Sequence, residues 1–105
     1  MPDSTSDSFA ISAQIETALH YWSQSPHASL KDLRGLEKTL FKQRRSLPAG
    51  TLDHAKNQIS QACDQIKPDI DRQFSHKFGM MWEFGLLLSQ VGRRLEANDY
   101  FEAAQ

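Results

Sequence analysis

An all-α fold is predicted for this chain: a small antiparallel helical bundle of three or four helices with a long apolar C-terminal helix. Three observations carry that prediction. Apolar residues recur at steps of three and four along almost the whole sequence. No segment alternates convincingly with the period of two that a half-buried strand requires. Breakers at Ser25-Pro26 and Pro48-Ala49-Gly50 divide the periodic stretches into helix-sized lengths. With 105 residues there is enough chain for one modest core and too little for two.

The acidic, hydroxyl-rich opening MPDSTSDS is expected to be a disordered lead over residues 1–7, with a single helical domain over residues 8–105. The first helical segment is expected from about Phe9 to Gln24, with Asp7 or Ser8 as N-cap. Ile11, Ile15, Ala18, Leu19 and Trp22 form its apolar face, and Ser25-Pro26 ends it. The second segment opens with Ser29 as N-cap and Asp32 in the first turn. Leu33, Leu36, Leu40 and Leu47 fall within about 60° on a wheel turning about 100° per residue. Lys31, Lys38, Lys42 and Arg45 make an equally narrow stripe on the opposite side, with Arg44 nearby. Thr51 is placed to cap the third segment, in which Leu52, Ala55, Ile59, Ala62 and Ile66 follow the spacing of a helix-packing seam. Its small alanines imply a close neighbour.

Pro68 favours a sharp kink or short break over one uninterrupted helix, since proline suits a first helical turn and Asp69 and Asp71 follow it. The last segment, about Asp69 to Ala97, contains FGMMWEFGLLLSQVG, residues 78–92, with one charge in fifteen positions. Two apolar lines run along it, one through Met81, Gly85, Leu88, Gly92 and Leu95, the other through Met80, Phe84, Leu87 and Val91. A helix apolar on two faces must be covered on both, so this segment is expected at the centre. Gly85 and Gly92, seven apart, are expected to admit a neighbouring helix at close range. Gly79 could instead cap a helix ending near Phe78, but a continuous helix is favoured. The tail VGRRLEANDYFEAA resembles the helix-turn-helix of a tetratricopeptide repeat over about fourteen residues. Its spacing from Gly92 to Asp99 is one residue short, the chain stops before a second helix is expected to form, and no family follows from it.

Function classes can be narrowed from the same residues. A net charge of −1 supplies no whole-molecule field for nucleic acid or anionic lipid, although residues 30–47 are strongly basic. The single cysteine, Cys63, excludes an intrachain disulfide and a zinc site built on several thiolates. With the absence of a basic-then-apolar leader, it points to the cytoplasm. Residues 78–92 are too short and too interrupted by Glu83 for a membrane span, which needs roughly 20 apolar residues. The glycines form no phosphate-cradling loop, and Cys63 has no evident histidine partner. Glu16 with His20, and Asp71 with His76, fall short of a metal-ligand set, since no Glu-x-x-His is present. Neither a metal nor another cofactor is expected. Glu83, flanked by Trp82 and Phe84, is read as the polar edge of a buried helix; were it truly buried, it could act as an acid or pair with an arginine.

The remaining candidate is the basic stripe, Lys31, Lys38, Lys42, Arg44 and Arg45. An acidic protein face or phosphates could use it, but no interleaved aromatic is evident for stacking bases. The expected function is that of a small non-enzymatic adaptor or regulatory protein acting through helix surfaces. The line Met81, Gly85, Leu88, Gly92 and Leu95 is expected to serve helix packing or a homodimer. The alternative is a nucleic-acid-associated regulator using the basic face of the second helix.

Overall fold

Where three-and-four periodicity runs, the backbone satisfies its own hydrogen bonds and turns one side to its neighbours, and five helices result. The computed structural model describes residues 4–105, with side chains described from Ala10 onward. Its elements are α1 (Ser4–His20), α2 (Pro26–Lys42), α3 (Thr51–Gln73), α4 (Phe78–Gln90) and α5 (Arg94–Ala103), with no strand among the described residues. The all-helical class holds, with five helices instead of three or four.

Several boundaries differ from those expected, each for a local reason. Helix α1 runs through Asp7 and Ser8, so neither is a cap; residues 1–3 of the expected lead lie outside the described residues. Ser25-Pro26 opens α2 in place of merely ending α1: Ser25 is the N-cap and Pro26 the first helical residue. Proline suits that position because its missing N–H would have lacked a helical acceptor anyway. Ser29, expected as the cap, is instead fully buried and donates its hydroxyl to the Ala18 carbonyl at 2.7 Å, tying α2 to α1. Gly50, with φ +85°, holds the N-cap of α3, and Thr51 is the buried first residue.

The break expected as one outcome at Pro68 does not occur, since the proline lies inside an unbroken α3 of 23 residues. Proline there removes one hydrogen bond and crowds the preceding turn, at a cost of about 3 kcal/mol. The cost is met by packing on both sides of it: Pro68 is exposed, while Ala62, Cys63, Ile66 and Ile70 on the other face are all buried. The chain breaks at residues 74–77 instead, and again at 91–93, so the long apolar C-terminal helix is divided into α4 and α5. At the second break Gly92 takes φ +90°, its N–H donating to the Ser89 carbonyl at 3.1 Å and that of Arg93 to Leu88 at 2.9 Å. This paired return is a glycine C-cap. It lets α5 fold back along α4, so the second helix of the tail does form.

The helices pack as an open two-layer stack rather than around one central helix. Contacts run between successive helices and between α1 and α3, and between α2 and α4. Side chains then join α5 to α3. Ser12 and Trp22 of the first arm pair with Gln58 and Asp69 in that order, and Arg93, Glu96 and Tyr100 meet Ser60, Lys67 and Asp71 in that order. Thus α1, α3 and α5 run parallel in one layer, with α2 and α4 in the other. The extents, 48 × 27 × 17 Å, are those of an elongated stack.

Candidate functional site

Helix α2 carries Lys31, Lys38 and Lys42 of the basic stripe but ends at Lys42, so Arg44 and Arg45, expected on the same helix, fall in the turn after it. The inward side of α2 explains why the stripe faces out. Leu30, Leu33 and Leu40 are buried, and Leu36 and Leu47 pack against the core at its margin. Lys31, Lys38, Lys42, Arg44 and Arg45 are consequently all exposed. None forms a salt bridge with a carboxylate among the described residues. Other cations are used internally: Arg34 pairs with Glu83, Lys67 with Glu96, Arg72 with Asp69, and Arg93 with both Asp64 and Glu96. An aromatic does stand beside the stripe. Phe41 is 46% exposed, with the Arg44 guanidinium 4.1 Å above its ring.

The side of α2 facing α4 is polar and enclosed. Arg34 reaches Glu83, and the Gln90 amide donates to the Arg34 carbonyl at 3.2 Å and to Glu37 at 3.0 Å. Glu83 is thus half-buried at the polar edge of α4, with Arg34 as its partner. Arg34 Nε and Gln90 Oε1 are buried without partners. This cluster fixes the register of α4 on α2, because sliding either helix would leave further buried polar groups unpaired.

Between α1 and α2, next to the stripe, lies an open groove of about 650 Å³. Ile11, Ala18, Leu33 and Leu40 form its floor, with Thr17 and Tyr21 on one wall and Gly35 and Thr39 on the other. Gly35 faces open space. Sequence reasoning passed over this groove because its lining is split between two helices. The available signal was a glycine inside α2, which costs a helix about 1 kcal/mol relative to alanine.

The second expected surface separates into different roles. Met81, Gly85 and Leu88 are buried within the chain. A methyl on Gly85 would come 2.7 Å from the Phe101 ring and 3.3 Å from the Ala97 carbonyl, so this glycine does serve close helix approach, of α5 on α4. Gly92 does not: it lies in the turn with nothing within 4 Å of an added methyl. Its positive φ is what requires glycine. Leu95 is 84% exposed, on the far side of α5. Trp82, 47% exposed, packs against Phe101 with ring centroids 4.7 Å apart and planes tilted by 48°, and Phe78 is exposed one turn earlier.

Ionisable groups at the α3–α5 junction act as ties. Arg93 forms a two-pronged pair with Glu96 at 2.9 and 2.7 Å and also reaches Asp64 at 2.8 Å. The guanidinium hydrogen bonds hold the Glu96 carboxyl below its ordinary pKa and Arg93 more firmly charged. Burial, and then its 2.6 Å hydrogen bond to Asp71, push the Tyr100 phenol upward. Burial pushes the Cys63 thiol up to about 12, which leaves almost no thiolate near neutral pH. Glu16 and His20 are both exposed, as are Asp71 and His76, and no group of three ligand-type side chains that could hold a metal occurs among the described residues. No helix among them is long and apolar enough to cross a membrane. Comparison with protein-family models, with curated proteins and with solved structures found no match.

Proposed function

We propose that this chain is a small cytoplasmic adaptor or regulatory protein, non-enzymatic, that holds an acidic protein partner against the basic face of α2. The supporting observation is a row of five exposed cations without carboxylate partners among the described residues: Lys31, Lys38 and Lys42 on α2, whose opposite face is locked into the core, and Arg44 and Arg45 in the turn that follows it. The rigid helix keeps the backbone positions of Lys31, Lys38 and Lys42 in register, which lowers the ordering cost of binding. Self-association through the exposed Phe78 and Trp82 belongs to the same reading, since both are exposed on α4 one turn apart.

The test is affinity capture from the native host, with mass spectrometry of protein and nucleic acid. Wild-type chain is compared with a variant in which Lys31, Lys38, Lys42, Arg44 and Arg45 are all glutamine. An acidic protein retained by the first and lost by the second is the expected result. Nucleic acid lost in the same way would transfer the assignment to a nucleic-acid-associated regulator, with Phe41 as a neighbouring exposed aromatic. Identical captures from both chains would reject the basic face as a binding surface.

A further inference from the structure

We infer that the open groove between α1 and α2 seats an amphipathic helix from the partner, with its apolar side on the groove floor and its acidic side on Lys31, Lys38 and Lys42. The inference rests on the proposed basic face and adds to it the shape of what binds there. Shape, surface chemistry and charge all favour this occupant.

The groove lining extends along α2 from Lys31 to Gln43, about 18 Å at 1.5 Å per residue, the length of a helix of roughly twelve residues. The chain itself shows how such grooves are filled. Helix α3 packs against both α1 and α2 on one side, and α4 packs against both α2 and α3. The outer side of the α1–α2 pair has the same two-helix form and opens to solvent.

Small side chains keep the walls low. Ala13 and Thr17 on α1 and Gly35 and Thr39 on α2 let a third backbone approach, as small residues do wherever helices pack closely. Neither a left-handed φ nor a packed neighbour accounts for glycine at position 35. An arriving helix would.

Charge selects the kind of helix. Lys38 and Lys42 are one helical turn from Gly35 and Thr39, and Lys31 lines the groove itself. A helix lying on the floor therefore has three ammonium groups along one flank. Asp32 is the one carboxylate among the described residues of the lining. Acidic residues on that flank, beside a leucine-type stripe, match both surfaces at once, and this is the helix-in-groove mode of recognition.

The experiment titrates the intact chain against two synthetic helices of three to four turns, read by fluorescence anisotropy. Both carry leucines on one face; one has glutamates along the flank, the other lysines. The glutamate helix should bind at least tenfold more tightly, with affinity falling as salt rises. Gly35→Leu, which fills the groove from α2, and Thr17→Phe, which fills it from α1, should each weaken binding at least tenfold. Thermal unfolding of each variant, measured beside the titration, shows that the variant is folded. Lys38→Gln with Lys42→Gln should weaken binding and flatten the salt dependence. If both filling variants bind like wild type while the lysine changes weaken binding, the groove is not the seat and the basic-face reading stands. Equal binding of the two peptides, or no binding of either, overturns the helix-in-groove inference, whereas the capture experiment tests the basic face independently.

Discussion

Gly85→Ala tests how α5 is held on α4, and three glycines of this chain provide a matched set. Alanine at an unhindered helix position should stabilise by about 1 kcal/mol. At Gly85 the new methyl meets two Phe101 ring carbons at 2.7 and 2.8 Å and the Ala97 carbonyl at 3.3 Å. Overpacking of this kind costs typically about 1–3 kcal/mol. Phe101 is half-buried and can rotate, whereas the Ala97 carbonyl belongs to helix backbone, so the net result should be a loss of about 1 kcal/mol. In a domain of this size that lowers the melting temperature by roughly 4–8 °C. Gly35→Ala, facing open space, should instead stabilise by about 1 kcal/mol. Gly92→Ala should destabilise for a different reason, since a left-handed backbone costs an L-residue about 1–2 kcal/mol. Asparagine separates the two destabilising mechanisms: it tolerates the left-handed region, so Gly92→Asn should be milder than Gly92→Ala. At Gly85 the larger asparagine should be worse than alanine. Denaturant midpoints, with slopes checked for constancy, measure all five variants. Phe101→Ala in the Gly85→Ala background should recover part of the loss. Stabilisation by Gly85→Ala would refute the close approach of α5.

Other consequences concern titratable groups. Cys63 should resist a thiol reagent at pH 8 in the native state and react at once in denaturant, because burial keeps it a thiol up to about 12; rapid native labelling would contradict its enclosure. Tyr100 has a raised folded pKa, so its contribution to stability is complete below about pH 10 and is lost as rising pH ionises the unfolded phenol. Tyr100→Phe should remove part of that alkaline slope and lower neutral stability by roughly 0.5–1.5 kcal/mol, as read from unfolding midpoints across pH. Glu96 has the opposite sign: held below its ordinary 4.5, it stabilises above that value and ceases to do so as pH falls through its lower folded pKa. Glu96→Gln should flatten the acid limb of the stability curve, and an unchanged limb would deny the Arg93 pairing.

Helical class, the buried faces and the exposed cations were determined by the sequence alone, because each is a local property of the chain. A three-and-four pattern names its apolar side without reference to any partner. Thus Ile11, Ile15, Ala18 and Trp22, and Ala55, Ile59, Ala62 and Ile66, were legible as core, and the stripe from Lys31 to Arg45 as surface. What only the tertiary structure decided were the matters on which two energies compete. Pro68 disfavours a helix locally, but Ile66 and Ile70 are buried on either side of it, and their packing keeps α3 whole. Residues 69–97 keep one apolar periodicity throughout, yet a continuous helix would leave its two apolar faces without enough neighbours. Turning at 74–77 and at Gly92 covers most of both. Gly85 and Gly92 look alike on a wheel and differ only in what surrounds them: one lies under Phe101, while the other turns the chain. The groove was invisible for the same reason, since Thr17 and Gly35 become neighbours of one space only when α1 and α2 fold together.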